Sequence, residues 1–129
     1  MLSRISLVTL VVRDYDEAIA YFAGKLGFVL LEDTELADGK RWVRVSPQAD
    51  AEFSLLLAQA ASPQQKRAIG KQAGGRVFLL LQSDDFDADH ARLAARGVRI
   101  IEPPRQETYG KVCVFEDICG NHWDLIERR

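Results

Sequence analysis

At 129 residues the chain has the length of one ordinary domain, and at 47% hydrophobic it can bury a real core. A formal charge of −2 with scattered Lys and Arg gives no electrostatic footprint for nucleic acid or a membrane surface, and no apolar run approaches the ~20 residues of a membrane helix. The two cysteines, Cys113 and Cys119, stand in no C-x-x-C spacing, which fits a reducing, cytoplasmic setting better than a disulfide scaffold.

Met1 to Arg13 has no cleavage-site pattern and reads as a strand, with its apolar run from Ile5 to Val12. Leu7, Thr9 and Val11 alternate with Val8, Leu10 and Val12; both sets are largely apolar, which predicts cover on both faces. Tyr15, Ala18, Ile19, Phe22 and Leu26 then fall on one stripe of a helix. Asp14 is its N-cap, Asp16 and Glu17 suit the positive end of the dipole, Lys25 suits the negative end, and Gly27 stops it. Strands follow over Phe28 to Glu35, Arg41 to Ser46 and Glu52 to Ala58, the first two joined through the hairpin signal Asp38-Gly39. Ser62 to Gln72 is polar and helix-compatible, with Pro63 early in it, and reads as the linker. The second half gives a strand over Arg76 to Gln82 and a helix capped by Asp84 or Asp85 and stopped by Gly97. Strands over Val98 to Ile101, Tyr109 to Phe115 and His122 to Glu127 complete it, with a turn over Asp117 to Asn121 before the last.

The two halves repeat one another. Asp14-Tyr15-Asp16 opens the first helix and Asp85-Phe86-Asp87 the second, an offset of about seventy residues, too long for a solenoid. Each half reads as β-α-β-β-β: module one over residues 1–60, a linker over 61–72, and module two over 73–129.

Two such units in one chain resemble the vicinal-oxygen-chelate superfamily, which includes glyoxalase I, bleomycin-resistance proteins and extradiol dioxygenases. Val12-Arg13-Asp14-Tyr15-Asp16-Glu17-Ala18-Ile19-Ala20-Tyr21-Phe22 with Leu26-Gly27-Phe28 is similar to the family's opening pattern V-x-D-x-x-x-A-x-x-F-Y…L-G-F. Phe115-Glu116-Asp117-Ile118-Cys119-Gly120-Asn121-His122-Trp123-Asp124-Leu125 is similar to its closing pattern F-x-D-P-x-G-N-x-x-E-L. The resemblance implies an α+β fold, with two βαβββ modules forming curved mixed sheets as a single domain over 1–129. It also implies ligands for a divalent metal on four strands in the catalytic members. Those positions fall here on Leu7, on the stretch Phe53 to Leu56 where only Ser54 is polar, on Phe78 and on Asp124. A transition ion wants three or four N, O or S donors, so the usual set is missing and no cofactor is expected.

Several side chains remain as candidates. His122 and Asp124 share a strand face and read either as an acid/base pair or as a hydrogen-bonded strand anchor. Arg76 is expected on the face of Phe78, where it can clamp a carboxylate or phosphate or pair with an acid of the chain. Leu7, Thr9, Trp42, Arg44, Phe78 and Tyr109 are candidate lining for a small-molecule cavity; Trp42 and Trp123 read equally as core. His90 reads as a helix residue, and the cysteines have no base partner. Two functions follow: metal-independent binding of a small molecule in an apolar cavity, or a glyoxalase-like lyase or isomerase using His122 and Asp124, with or without a divalent metal. Closing a curved sheet by exchange between chains favours a homodimer.

Overall fold

The computed structural model describes residues 1–129, which form two compact units, Met1–Ile69 and Gly70–Arg129. The first contains β1 (Leu7–Val12), α1 (Tyr15–Ile19), a π-helical turn (Ala20–Lys25), β2 (Val29–Glu35), β3 (Arg41–Ser46), β4 (Ser54–Gln59) and α2 (Pro63–Ala68). Its sheet has the order β1-β4-β3-β2, with β1 parallel to β4 and the other pairs antiparallel. The second unit contains β5 (Val77–Gln82), α3 (Phe86–Ala95), β6 (Arg99–Glu107), β7 (Gly110–Glu116) and β8 (His122–Arg128). Its order, β5-β8-β7-β6, repeats the first with the same strand directions. The two βαβββ modules are therefore present, as four-stranded mixed sheets.

The repeat extends to a shared device at the helix start. Gln59 Oε1 accepts from the backbone N–H of Tyr15 at 3.2 Å, and Glu127 Oε1 accepts from that of Phe86 at 2.8 Å. Each ties the first turn of a helix to the strand beneath it and satisfies an orphan donor. Asp14 and Asp85 add the caps: their carboxylates accept from Glu17 N at 2.8 Å and Ala88 N at 3.2 Å. Asp85, rather than Asp84, caps α3. Replacing Asp14 with alanine is expected to destabilise the first unit by about 1 kcal/mol. Chemical denaturation checks this, and an unchanged midpoint would contradict it.

Two features depart from the sequence expectations, and a third, the helix-compatible linker, is realised as a helix. The first helix is α-helical only to Ile19 and then winds more widely, with Leu26 N donating to Tyr21 O at 3.0 Å. The wider turn brings the consecutive rings of Tyr21 and Phe22 both into the core, edge to face at 5.2 Å. The polar segment read as a linker contains α2, capped by the Ser62 hydroxyl with Pro63 in its first turn. The strand expected to end at Ile101 continues as β6 to Glu107, through Pro103 and Pro104. It can do so because β6 is an edge strand with register shifts beside the prolines, where a missing N–H breaks no ladder.

Only one face of each sheet is packed by a helix. In the first unit Leu10, Val12, Val43, Val45, Leu55 and Leu57 are buried with Tyr15, Ala18 and Phe22. In the second, Cys113, Phe115, Trp123 and Leu125 are buried with Phe86 and Leu93. The expected cover on both faces of β1 is not found: Leu7 and Val11 are half-buried and Thr9 is exposed. An apolar residue on this face thus does not report a helix over it.

Candidate functional site

The face of each sheet away from its helix is the candidate site, and strand register fixes what lies on it. In the first unit one row runs Thr9, Leu56, Arg44, Glu32 across β1, β4, β3 and β2. The corresponding row of the second unit runs Leu80, Asp124, Val114, Glu102. Leu56 therefore occupies the place of Asp124, and Ser54 that of His122.

On the first face Arg44 is the polar centre. Its Nε donates to Glu32 Oε1 at 2.9 Å and its Nη1 to Ser54 Oγ at 3.2 Å. The guanidinium is thereby held flat over the sheet. Apolar groups surround it: Leu7 and Leu56 are half-buried, and Trp42 is 36% exposed. A partly exposed indole on a sheet face offers a large, rigid surface at low entropic cost. Trp123, by contrast, is core; its ring stacks on Phe115 at 5.7 Å.

On the second face Asp124 stands beside Leu80 and Val114. Desolvation pushes its carboxyl above the ordinary aspartate range; Arg105 opposes this and Glu102 adds to it. The native state then binds that proton more tightly than the unfolded chain does. Stability falls as pH rises from the ordinary aspartate value through the raised native one. Asp124→Asn is accordingly expected to raise stability at neutral pH, with the gain fading as pH drops below the ordinary aspartate range. Urea denaturation at the two pH values decides this, and a variant weaker than the parent at neutral pH would contradict it.

His122 and Asp124 share the open face of β8, but the structure does not pair them. The His122 ring instead meets its register partner Glu116, Nε2 to Oε1 at 3.3 Å, and Glu116 also pairs with Arg99 at 2.9 Å. Arg76 lies just outside β5, where it lines a small cleft with Gly120, Asn121 and His122. Tyr109 sits at the β6–β7 turn, 51% exposed. His90 stacks on Phe86 at 5.8 Å on α3, away from either open face. No three His, Cys, Asp or Glu side chains converge as a metal would require. Cys113 is fully buried, and burial, with the Asp124 charge adding, pushes its thiol up to about 11, which leaves it a poor nucleophile.

Sequence reasoning missed Arg105 and Glu102, because the strand was expected to end at Ile101, before either of them. It also missed Asp117, whose buried carboxylate organises the turn before β8. Asp117 Oδ1 accepts from the backbone N–H groups of Cys119, Gly120 and Asn121, and Oδ2 accepts from Trp123 Nε1 at 2.9 Å. The signal for it is an acid followed by a Gly-Asn exit and a tryptophan.

Comparison with known proteins adds the following. A family model described as the Glyoxalase/Bleomycin resistance protein/Dioxygenase superfamily matches residues 4–125. An uncharacterized protein of Shewanella frigidimarina (strain NCIMB 400) is 52% identical over 121 residues, 93% of this chain and 90% of its own length. Among solved structures, TnmS3, an antibiotic binding protein from Streptomyces sp. CB03234, is similar with a TM-score of 0.80 and 33% identity, over 99% of this chain and 98% of its own. UcmS2 is similar with a TM-score of 0.85 and 28% identity, over 98% of each chain.

Proposed function

This chain belongs to the glyoxalase/bleomycin resistance protein/dioxygenase superfamily, and from that membership we propose that it binds a small, largely apolar organic molecule without a metal. The observation that carries the proposal is the make-up of the open face of the first sheet. Leu7, Leu56 and Trp42 offer apolar and aromatic surface beside the Arg44 guanidinium, which Glu32 and Ser54 hold in place. A binding site needs that much: area for the ligand body and one anchor that sets its orientation. The similarity to TnmS3, an antibiotic binding protein, supports a small organic ligand. Phe78 and Leu80 give the second sheet a comparable face beside Asp124.

The residues present do not fit a transition ion. At the strand positions where the family resemblance puts ligands stand Leu7, Leu56, Phe78 and Asp124, and one carboxylate does not hold such an ion. Metal analysis of protein purified without chelators tests this part. Substoichiometric metal is the expected result. A stoichiometric divalent ion would overturn the proposal in favour of a glyoxalase-like lyase or isomerase working through His122 and Asp124.

The reading extends to a homodimer in the cytoplasm. Trp42, Leu30, Val77 and Leu80 are large apolar side chains left exposed, and a second copy is the economical cover for them. The two buried cysteines are unpaired, which suits a reducing compartment. Light scattering should give twice the 14.5 kDa chain mass. A monomer that persists as concentration rises would remove the dimer from the account.

A further inference from the structure

We propose that the second unit carries a small oxyanion site at the start of β8, in the cleft between the turn around Gly70–Arg76 and the turn before β8. The cleft is a cavity of about 120 Å³ bordered by Gly70, Gly75, Gly120, Arg76, Asn121 and His122. A water molecule occupies about 30 Å³ of liquid, so the space admits one phosphate or carboxylate group and little more.

The two turns are clasped by glycines. Gly70 has φ 75°, and a Cβ on it would stand 2.3 Å from the Cys119 carbonyl oxygen. Gly120 has φ 103° and lies against Gly70. A side chain at Gly70 would require backbone movement, and at Gly120 the positive φ rather than lack of space disfavours one, so the closeness of the turns is built into the sequence.

The polar groups in this cleft are donors. Asn121 is 3% exposed, and its Nδ2 is buried with no hydrogen-bond partner. Buried polar groups are almost always satisfied, so an orphaned amide bordering a cavity calls for an acceptor from outside the chain. Arg76 is exposed at the mouth and makes no ion pair, which leaves its fork of donors available. His122 forms a third side and donates when protonated. No bordering residue is acidic; of the neighbouring carboxylates, Glu116 is held by His122 and Arg99, and Asp117 by the backbone N–H groups of Cys119, Gly120 and Asn121 and the Trp123 indole. A guanidinium and an unpartnered amide N–H with no bordering carboxylate favour an oxyanion over a cation.

Titration of the ¹⁵N-labelled full chain with inorganic phosphate, and separately with acetate, tests the site. Saturable shifts of the Asn121 side-chain amide and the Arg76 Nε–H are expected. Arg76→Gln, at an exposed position that does not endanger the fold, is expected to weaken binding about ten-fold or more. Asn121→Leu removes the buried donor and is expected to abolish binding; should that variant fail to fold, Arg76→Gln alone decides. Tighter phosphate than acetate assigns the site to phosphate-bearing ligands, and the reverse order to carboxylates. No saturable shift with either anion, or equal affinity in Arg76→Gln, would overturn the proposal.

Discussion

Asp117→Ala is expected to cost the second unit at least about 3 kcal/mol, because it strands several buried donors at once. Asp117 is 4% exposed, and its carboxylate receives three backbone N–H groups at 2.8 to 3.0 Å and the Trp123 indole N–H at 2.9 Å. Burial pushes the carboxyl up against the downward pull of those four bonds, so it sits under tension between desolvation and hydrogen bonding. Alanine removes the acceptor while the donors stay inside, and each unpaired donor keeps its own desolvation cost. The loss also reaches the core, since Trp123 stacks on Phe115 and is positioned by this bond. Asp117→Asn keeps one acceptor oxygen for the turn but sets an amide against the indole N–H, so it should recover only part of the loss. Denaturant midpoints with near-ultraviolet circular dichroism of the tryptophan measure both, and an alanine variant within about 1 kcal/mol of the parent would contradict the assignment of Asp117 as the organiser of the turn.

Phe22→Ala is the counterpart in the first unit, with an expected loss of about 3–5 kcal/mol. Phe22 is fully buried, edge to face with Tyr21 at 5.2 Å and tilted against Phe28 at 5.8 Å. Its carbonyl also accepts from Phe28 N at 2.8 Å, which ties the end of the π-helical turn to the start of β2. Truncation leaves a cavity that the neighbouring rings fill only by leaving their rotamers. Phe22→Leu should cost distinctly less because it retains most of the volume. Equal losses for the two variants would mean that the ring itself is not part of the packing.

What could be read from sequence was local. The caps Asp14 and Asp85, the stops at Gly27 and Gly97 and the hairpin at Asp38-Gly39 depend on a few neighbouring residues, and all appear in the structure. The repeat was legible because both halves use the same local punctuation. The π-helical turn was not, because the stripe Tyr15, Ala18, Ile19, Phe22, Leu26 suits a regular helix. The burial of Tyr21 that distinguishes the two depends on the sheet beneath. β6 was cut short for the same kind of reason: a Pro-Pro pair ends a central strand but not an edge strand, and edge status is a property of the sheet. Within the site, face alternation put His122 with Asp124. The partner that His122 meets, Glu116, lies across the ladder on β7, which only register reveals. Likewise the sequence left the fourth-strand position open between Phe53 and Leu56, and the equivalence of the Leu56 and Asp124 rows selects Leu56.

The central claim is metal-independent binding at an apolar sheet face. Its most direct measurement is a fluorescence titration of the whole protein with anilinonaphthalene sulfonate, an apolar ring system with one anionic group, in EDTA and again with added nickel, zinc or manganese. Saturable binding is expected with the same dissociation constant in all of these conditions, and Trp42→Ala should weaken it. Binding that appears only with metal, or no saturable binding in any condition, would contradict the account.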